Sequence, residues 1–425
     1  MASHTLNSIS REEWKTLNDH VVRVNRVAGG FRLVQIHSVA EEARLWNYLP
    51  EPRTPAAVAA HAHWSERGAR MLLGGLLAMG LVEKLGDSYR LLTDTPTWQD
   101  WSDLGFRTGV MRQSMSLLNA NAARVFDLLN EPRSAEEVAE KLGLQRRGVR
   151  TMLEDVTASG LLIKEEGRYR NTPTASICLT SDGSVSMHYI LQHNLSLWEN
   201  WSRLEEAVRT GTAPRCSQWE KKEGEDKALQ AFILGMRDIA SLSWTEFEGA
   251  LDLSARRHLL DIGTGPGTYP IRFLKKYPHL QATLFDLPPV VEIARGEVQA
   301  AELDDRVSYR AGSLYEDDFG TGYDVILVSN IIHMIGPEGN RALVRKCYDA
   351  LVPGGLLVIK DFFVADDYST PPHALIFALN MLVNTPEGDT YTVKEVGEWT
   401  RAAGFQEGRL AHATPENGLW VAEKP

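Results

Sequence analysis

A glycine-rich turn constrains the fold of this chain more than any other segment. The turn has the sequence Asp-Ile-Gly-Thr-Gly-Pro-Gly over residues 261–267 and follows the apolar run 258–262, which predicts a strand. A predicted helix follows it, through Phe273 to Tyr277. Glycines let the backbone turn sharply and approach a ligand closely, and a helix start offers free N–H groups to an anion. The segment therefore predicts a cofactor site at the end of a strand, as in dinucleotide-binding folds.

The residues after this turn continue an alternation of short apolar strands and helices, which predicts a parallel α/β sheet. The second strand ends at Asp286, 19 residues after Gly267, where an acid can bind both hydroxyls of a ribose. The order Asp-x-Gly-x-Gly-x-Gly differs from the Gly-x-Gly-x-x-Gly of dinucleotide sites. A strand over 323–329 precedes Asn330, and a helix is predicted to end within 351–355, before a strand over 356–360.

Four of these segments together resemble the motifs of class I S-adenosyl-L-methionine (SAM) methyltransferases. They are residues 261–267, 285–288, 329–333 and 351–355. More narrowly, they are similar to the small-molecule O-methyltransferase family that includes caffeate and acetylserotonin O-methyltransferases and antibiotic-tailoring enzymes. The resemblance covers roughly residues 115 to 420. It implies a C-terminal Rossmann-like domain, SAM as cofactor, a small-molecule acceptor and a homodimer.

The resemblance also implies which residues bind the cofactor. The glycine-rich turn faces the methionine part of SAM, Asp286 binds the ribose, and Leu287 lies near the adenine. Ser313 and Leu314 stand where the family often has an acid and an apolar residue. The implied cofactor residues are Asp261, Gly263, Gly265, Asp286, Leu287, Ser313, Leu314, Ser329 and Asn330.

The family's general base is a histidine after the fourth strand, and His333 matches it. An imidazole takes up protons near cellular pH, so it can remove the proton of a hydroxyl that attacks a sulfonium methyl group. Asp361 matches an acid that orients this histidine in plant relatives. The family's His-Asp-Trp is replaced by His333-Met-Ile, and the position of its second orienting acid maps to Thr390. Whether Glu387 or Asp389 substitutes for that acid stays open.

The residues expected to line the acceptor pocket are also carried over from the resemblance. The alternative for each is a place in the ordinary apolar core. They are His188, His193, Trp198, Phe377, Asn380, Met381 and Asn384.

The first half of the chain contains an internal repeat. Residues 49–90 align with 129–170 without a gap. Each copy predicts a helix opened by Thr54 or Ser134, a second amphipathic helix that ends at a glycine, and two short strands. This pattern is typical of a winged helix, so we predict two mostly helical winged-helix domains before the Rossmann-like domain. The predicted divisions are 1–105 for the extra copy, 106–212 for the dimerisation copy and 213–425 for the methyltransferase domain.

Winged helices raise the alternative of a SAM-sensing, DNA-binding regulator. The net charge of -11 disfavours a large nucleic-acid surface. Locally, Arg146, Arg147 and Arg150 are offset by acids, and the first copy offers only Arg67 and Arg70. Nucleic-acid binding is therefore not expected.

The remaining expectations follow from the spacing of the cysteines and from the lack of long apolar runs. Cys178, Cys216 and Cys347 lie far apart, which predicts neither a disulfide framework nor a structural zinc site. No apolar run predicts a membrane span or a secretion signal, so we expect a cytoplasmic protein. The predicted function is O-methylation of a small aromatic or polyketide-like molecule. S- or C-methylation and a non-methylating SAM-dependent reaction remain open as alternatives.

Overall fold

The computed structural model describes residues 11–183, 185–214, 225–414 and 417–425. The chain divides into two compact units, each built from separate stretches of the sequence. The first unit contains the described residues of 1–38, 94–202 and 223–239, and the second contains those of 39–93, 203–222 and 240–425. The two copies of the repeat therefore belong to different units.

Helices dominate the first half of the chain and alternate with strands in the second half. The α-helices of the described residues are α1 Arg11–Ala28, α2 Gly30–Glu42, α3 Leu45–Tyr48, α4 Pro55–Ala62, α5 Glu66–Ala78, α6 Pro96–Ser102, α7 Leu104–Ala122, α8 Val125–Leu128, α9 Ala135–Leu142, α10 Arg146–Ala158, α11 Pro173–Cys178, α12 His188–Ser196, α13 Trp198–Trp201, α14 Leu204–Thr210, α15 Glu225–Ala250, α16 Thr268–Lys276, α17 Pro288–Ala300, α18 Pro337–Ala350, α19 Pro372–Asn384 and α20 Val393–Ala403. The strands are β1 Val82–Leu85, β2 Ser88–Leu91, β3 Arg133–Ser134, β4 Leu162–Glu165, β5 Arg168–Asn171, β6 His258–Ile262, β7 Gln281–Asp286, β8 Val307–Ala311, β9 Tyr323–Ser329, β10 Leu351–Asp361, β11 Phe363–Val364, β12 Tyr391–Thr392, β13 Arg409–Ala413 and β14 Gly418–Glu423. Short 3-10 turns cover Asp304–Arg306 and Ile332–Met334.

The two copies of the repeat form the same helices and the same hairpin in the same order, and β3 of the second copy is represented in the first by a single bridge between Arg53 and Tyr89. Helices α3, α4 and α5 and strands β1 and β2 of the first copy correspond to α8, α9, α10, β4 and β5 of the second. Thr54 and Ser134 each accept a hydrogen bond from a backbone N–H in the first turn of the helix that follows, as the cap pattern predicts. The second helix ends two residues before Gly80 or Gly160, which both have positive φ values, 71° and 76°.

The second unit is built on a seven-stranded sheet with the order β13-β14-β10-β9-β6-β7-β8. Strands β6 to β10 are parallel, β14 is antiparallel to β10, and β13 is antiparallel to β14. Side chains alternate between the faces, so Leu260 packs in one apolar cluster and Leu259 in another. The strand order reverses between β6 and β9, and ligands of such sheets bind at the carboxyl ends of the strands beside this point.

One predicted boundary differs from the structure. The segment 351–355 was expected to end a helix, but α18 ends at Ala350 and β10 already begins at Leu351. The amide of Gly354 and the carbonyl of Gly355 both bond to Lys424, which draws this segment to the end of β14. Pro353 has no N–H, and Gly354 adopts a positive φ of 75°, so the segment cannot continue a helix.

None of the described helices combines the length and the apolar character that a membrane crossing needs. The two cysteines whose surroundings are described, Cys178 and Cys347, are buried free thiols. Cys216 lies outside the described residues.

The repeat offers a matched test of the packing of the first copy. In α5, a Cβ at Gly68 would lie 2.0 Å from the Val208 carbonyl oxygen of α14, whereas one at Gly148 in α10 would meet nothing within 4 Å. We expect Gly68→Ala to lower the free energy of unfolding by about 1–3 kcal/mol. Gly148→Ala should raise it by about 0.5–1 kcal/mol, since alanine favours a helix. Urea denaturation measures both, and equal effects at the two sites would contradict this packing.

Candidate active site

The glycine-rich turn lies directly after β6, as predicted, and its backbone conformation requires glycine. Gly263, Gly265 and Gly267 have φ values of 68°, 54° and 74°, which side chains with a Cβ rarely adopt. A Cβ at Gly263 would also lie 2.2 Å from Ile331 Cδ1. Around Gly265, in contrast, a Cβ would meet nothing within 4 Å. The backbone at Gly265 is thus open to a ligand.

Two acids stand at the ends of the adjacent strands β6 and β7. Asp261 is buried and accepts a hydrogen bond of 2.6 Å from the Thr264 hydroxyl. Asp286 accepts hydrogen bonds of 2.8 Å from the backbone N–H groups of Gly265 and Leu287. Burial raises the pKa of Asp261 to about 7. The Thr264 hydrogen bond lowers this pKa, and the nearby Asp286 raises it further. Burial likewise raises the pKa of Asp286 to about 6, although the two N–H groups oppose this.

The other residues expected to bind the cofactor also lie at the carboxyl ends of the parallel strands. Ser313 and Leu314 follow β8, and Ser329 and Asn330 lie at the end of β9. The Ser329 hydroxyl is buried and has no hydrogen-bond partner among the described residues. Leu287 is 37% exposed and so offers an apolar surface beside Asp286. An open glycine backbone, two acids, an unsatisfied hydroxyl and an exposed leucine fit a nucleoside with an amino-acid tail.

Two residues that stabilise the loop after β8 were not identified from the sequence. Asp317 accepts a hydrogen bond of 2.8 Å from the backbone N–H of Ser313. Lys346 in α18 donates to the carbonyl groups of Leu314, Tyr315 and Asp317. Together they fix the loop after β8. A lone lysine on an amphipathic helix carries no sequence signal for such a contact.

His333 lies in the short turn after β9, and Asp361 lies at the end of the neighbouring strand β10. His333 Nδ1 is 2.7 Å from Asp361 Oδ1, and both residues are buried. The same carboxylate also accepts hydrogen bonds from the backbone N–H groups of Phe362, at 2.8 Å, and His333, at 3.4 Å. Since a carboxylate only accepts hydrogen bonds, Nδ1 carries a proton, and in the neutral imidazole the lone pair is then on Nε2. This is the tautomer that a general base requires.

Aromatic rings surround this histidine. The Phe377 ring stands edge-on to His333 with the centroids 4.9 Å apart, and the Phe362 ring lies 5.7 Å from it. Phe377 belongs to α19, where Asn380, Met381 and Asn384 follow at helical spacing and are buried. Asn384 donates hydrogen bonds to the backbone and side-chain oxygens of Asn380. The structure thus brings Phe377 to the histidine, whereas the two asparagines bind each other.

The loop of residues 385–390 contains Thr390 at the position of the family's second orienting acid, and the sequence left open whether Glu387 or Asp389 substitutes for that acid. Instead, the Asp389 carboxylate forms an ion pair with Arg70, and it is the Asp389 backbone N–H that donates to the His333 carbonyl, at 2.9 Å. The Thr390 hydroxyl is buried without a hydrogen-bond partner among the described residues. A Cβ at Gly336 would lie 2.3 Å from Glu387 Oε2, so this acid packs behind the His333 turn. The loop therefore reaches the histidine through its backbone.

The other expected acceptor residues, His188, His193 and Trp198, belong to the first unit. His188 Nδ1 lies 3.2 Å from Asn121 Oδ1, and burial, assisted by Arg124, lowers the pKa of His188 to about 4. The centroids of the His193 and Phe232 rings lie 4.9 Å apart. Burial, with a smaller contribution from the positive charge of Arg32, lowers the pKa of His193 to about 4. Trp198 stands edge-on to Phe31. Both histidines are therefore neutral at cellular pH.

The strand order, the glycine-rich turn and the acid at the end of β7 together define a SAM-dependent methyltransferase with a Rossmann-like fold. Comparisons with known proteins specify the family. The model of the O-methyltransferase domain matches residues 201–406, and that of the O-methyltransferase dimerisation domain matches residues 108–181. The first repeat copy lies outside both matched ranges.

Named relatives agree with these matches. The chain is 34% identical over 300 residues to the 3-hydroxy-5-methyl-1-naphthoate 3-O-methyltransferase of Streptomyces sahachiroi, covering 68% of this chain and 85% of the relative. It is 31% identical over 318 residues to the tetracenomycin polyketide synthesis 8-O-methyl transferase of Streptomyces glaucescens, covering 73% and 93%. A solved O-methyltransferase family protein from Burkholderia thailandensis superposes with a TM-score of 0.68 at 27% identity, covering 76% of this chain and 97% of that one. The chain belongs to the O-methyltransferase family, and the predicted fold class and SAM cofactor are confirmed.

The buried acid at the end of β6 predicts a pH-dependent stability in cofactor-free protein. The pKa of Asp261 is raised from 3.8 to about 7 in the folded state, so its contribution to stability is complete below about pH 4 and is lost progressively as the pH rises from there through about 7. We expect Asp261→Asn to raise the melting temperature at pH 8 by roughly 3–10 °C, because the amide is never charged. Near pH 4, where Asp261 is largely protonated in both the folded and the unfolded state, the two proteins should melt alike.

The control for this comparison is Asp305→Asn, which changes an exposed acid near β8. It should leave the melting temperature unchanged at both pH values. A variant Asp261→Asn that is no more stable than the native protein at pH 8 would show that the acid is not desolvated as described.

Proposed function

We propose that this enzyme transfers a methyl group from SAM to a hydroxyl group of a small aromatic or polyketide-like acceptor, with His333 as the general base. The hydrogen bond of 2.7 Å between His333 Nδ1 and Asp361 Oδ1 carries this proposal. It leaves Nε2 as the proton acceptor at the edge of the sheet where SAM binds. The turn that holds His333 also packs on the glycine-rich turn, through Ile331 and Gly263.

The cofactor supplies an electrophilic methyl group when it is bound. On the side of the protein, Asp261, Gly263 and Gly265 hold its methionine part, Asp286 binds the ribose, and Leu287 covers the adenine. The remaining cofactor contacts are Ser313, Leu314, Ser329 and Asn330. The Nε2 atom of His333 would accept the hydroxyl proton as the acceptor oxygen gains the methyl group and S-adenosylhomocysteine is released, and Asp361 would stabilise the resulting imidazolium.

The surroundings of His333 favour a flat acceptor. Phe362 and Phe377 lie 4.5 Å apart between their centroids and form an aromatic wall beside the base. Aromatic walls exclude water and align a planar ring by stacking or edge contact. The two bacterial relatives are named for a naphthoate and for tetracenomycin polyketide synthesis, which supports this choice of acceptor. We assign Asn380, Met381 and Asn384 of α19 to the acceptor pocket beside Phe377 as part of the same proposal. The roles of His188, His193 and Trp198 in acceptor binding stay predictions from the family resemblance.

Other features of the sequence complete the proposal. We infer a homodimer from the match to the family's dimerisation domain. From the sequence repeat we infer two winged-helix domains, over 1–105 and 106–212, before the methyltransferase domain of 213–425. A cytoplasmic location stays a prediction. S- or C-methylation remains an alternative outcome of the acceptor assay. A DNA-binding regulator is disfavoured, because Arg67 and Arg70 of the first copy are bound within the protein.

Replacing the base tests the proposed chemistry. We expect His333→Ala to lower kcat for a phenolic acceptor by about 10²–10⁴-fold, since proton removal at the transition state is lost. Asp361→Asn should lower kcat by about tenfold or more, because an amide N–H facing Nδ1 favours the other tautomer. Initial rates with radiolabelled SAM measure both, and the labelled product shows whether O, S or C is methylated.

His258→Ala is the matched control, since this exposed histidine begins β6 at the opposite edge of the sheet. It should leave kcat unchanged. Calorimetric titration with S-adenosylhomocysteine should show unchanged affinity for His333→Ala, which separates a lost base from a damaged cofactor site. Near-normal turnover by His333→Ala would rule out its role as the base.

A further inference from the structure

The first copy of the repeat packs against the segments that surround His333, all within the second unit. Helix α5 of this copy packs on α19, the helix that carries Phe377, and on α14. Ser65, the cap residue of α5, donates its hydroxyl hydrogen to the Val208 carbonyl at 2.8 Å. Together with the close approach of Gly68 to Val208, this contact fixes α5 at a defined position.

Two arginines of α5 bind the loop of residues 385–390. The Arg67 guanidinium donates to the carbonyl groups of Gly211 and Gly388 at the same time. The Arg70 guanidinium forms an ion pair with the Asp389 carboxylate, and the two side chains are only 29% and 13% exposed. Arg70 also lies over the Tyr368 ring, 4.8 Å from its centroid. The forked contact of Arg67 and the largely buried ion pair of Arg70 hold the loop in a defined orientation.

The same loop holds the backbone of His333. The Asp389 N–H donates to the His333 carbonyl at 2.9 Å. A Cβ at Gly388 would lie 2.4 Å from the same carbonyl oxygen, so only glycine permits this approach. The loop is closed on itself by the Thr385 hydroxyl, which accepts a hydrogen bond of 2.9 Å from the Gly388 N–H. A continuous chain of contacts therefore runs from Arg67 and Arg70, through residues 388 and 389, to the base.

We propose that Arg67 and Arg70 of the first repeat copy are positioning residues for the methyl transfer. They hold residues 388 and 389 against the His333 backbone, while Asp361 holds the imidazole ring from the other side. The inference rests on the proposed role of His333 as the base. It gives the first copy, which lies outside both matched family ranges, a function in catalysis, and it assigns a protein contact to the two arginines that a DNA-binding helix would expose.

The test uses the full chain with Arg70→Ala and Arg67→Lys, the second of which keeps the charge but cannot reach both carbonyl groups at once. Arg90→Ala is the matched control, because it breaks the Arg90–Glu83 pair on the hairpin of the same copy. Hydrogen–deuterium exchange in cofactor-free protein should become faster in residues 331–336 and 385–391 for both test variants. The control should exchange as the native protein does. Unchanged exchange in residues 331–336 of a folded variant overturns the proposal.

A kinetic measurement separates positioning of the base from a general loss of structure. For a weakly acidic phenol, both test variants should lower kcat by about 10–100-fold, with little change in the KM for SAM. For a phenol that is already ionised at the assay pH, the loss should be several-fold smaller, since no base is needed. Equal losses for both phenols overturn the proposal. If the native enzyme methylates neither phenol, the proposed function fails, and the exchange measurement still decides the role of the arginines.

Discussion

The hydrogen bond between His333 and Asp361 is the interaction on which the proposed chemistry depends. The pairing of strands β9 and β10 makes this hydrogen bond possible. His333 follows β9 and Asp361 ends β10, and these parallel strands pair with Lys360 opposite Ser329. The register therefore brings the two side chains to the same edge of the sheet. Asp361 is fully buried and accepts three hydrogen bonds, so its orientation is fixed before any ligand arrives. The hydrogen bond to this fixed carboxylate sets both the orientation and the tautomer of the His333 ring.

The two copies of the repeat show how one backbone pattern serves different purposes. Their helices and hairpins match, yet Gly68 touches Val208 whereas its counterpart Gly148 faces open space. Arg67 and Arg70 bind the loop behind His333, whereas the corresponding Arg147 and Arg150 are exposed. The local fold is the same because caps, apolar positions and glycines are shared. The use of each surface depends on what packs against it, and the first copy is incorporated into the methyltransferase unit.

The parts of the fold with local patterns could be predicted from the sequence. The strand over 258–262, the acid at the end of β7 and the repeat all follow from short runs of residue types, and the structure has them where predicted. The pairing of His333 with Asp361 was inferred through the resemblance to a family. In contrast, the contact between Arg70 and Asp389 joins residues 319 positions apart, and nothing in either segment points to the other. Thr390 stands at the position of the second orienting acid, and Glu387 and Asp389 were its possible substitutes. Instead, the backbone N–H of Asp389 contacts the histidine, and the type of side chain at position 389 does not predict such a contact.

The pH dependence of kcat, measured at saturating SAM with a weakly acidic phenol, tests the central claim most directly. If His333 is the base, kcat of the native enzyme falls toward acid pH, because a protonated imidazole no longer accepts the hydroxyl proton. In His333→Gln that decline should disappear, and the remaining turnover should instead rise with the ionisation of the phenol itself. The same acid decline in native enzyme and variant would contradict the account, since a group other than His333 would then remove the proton.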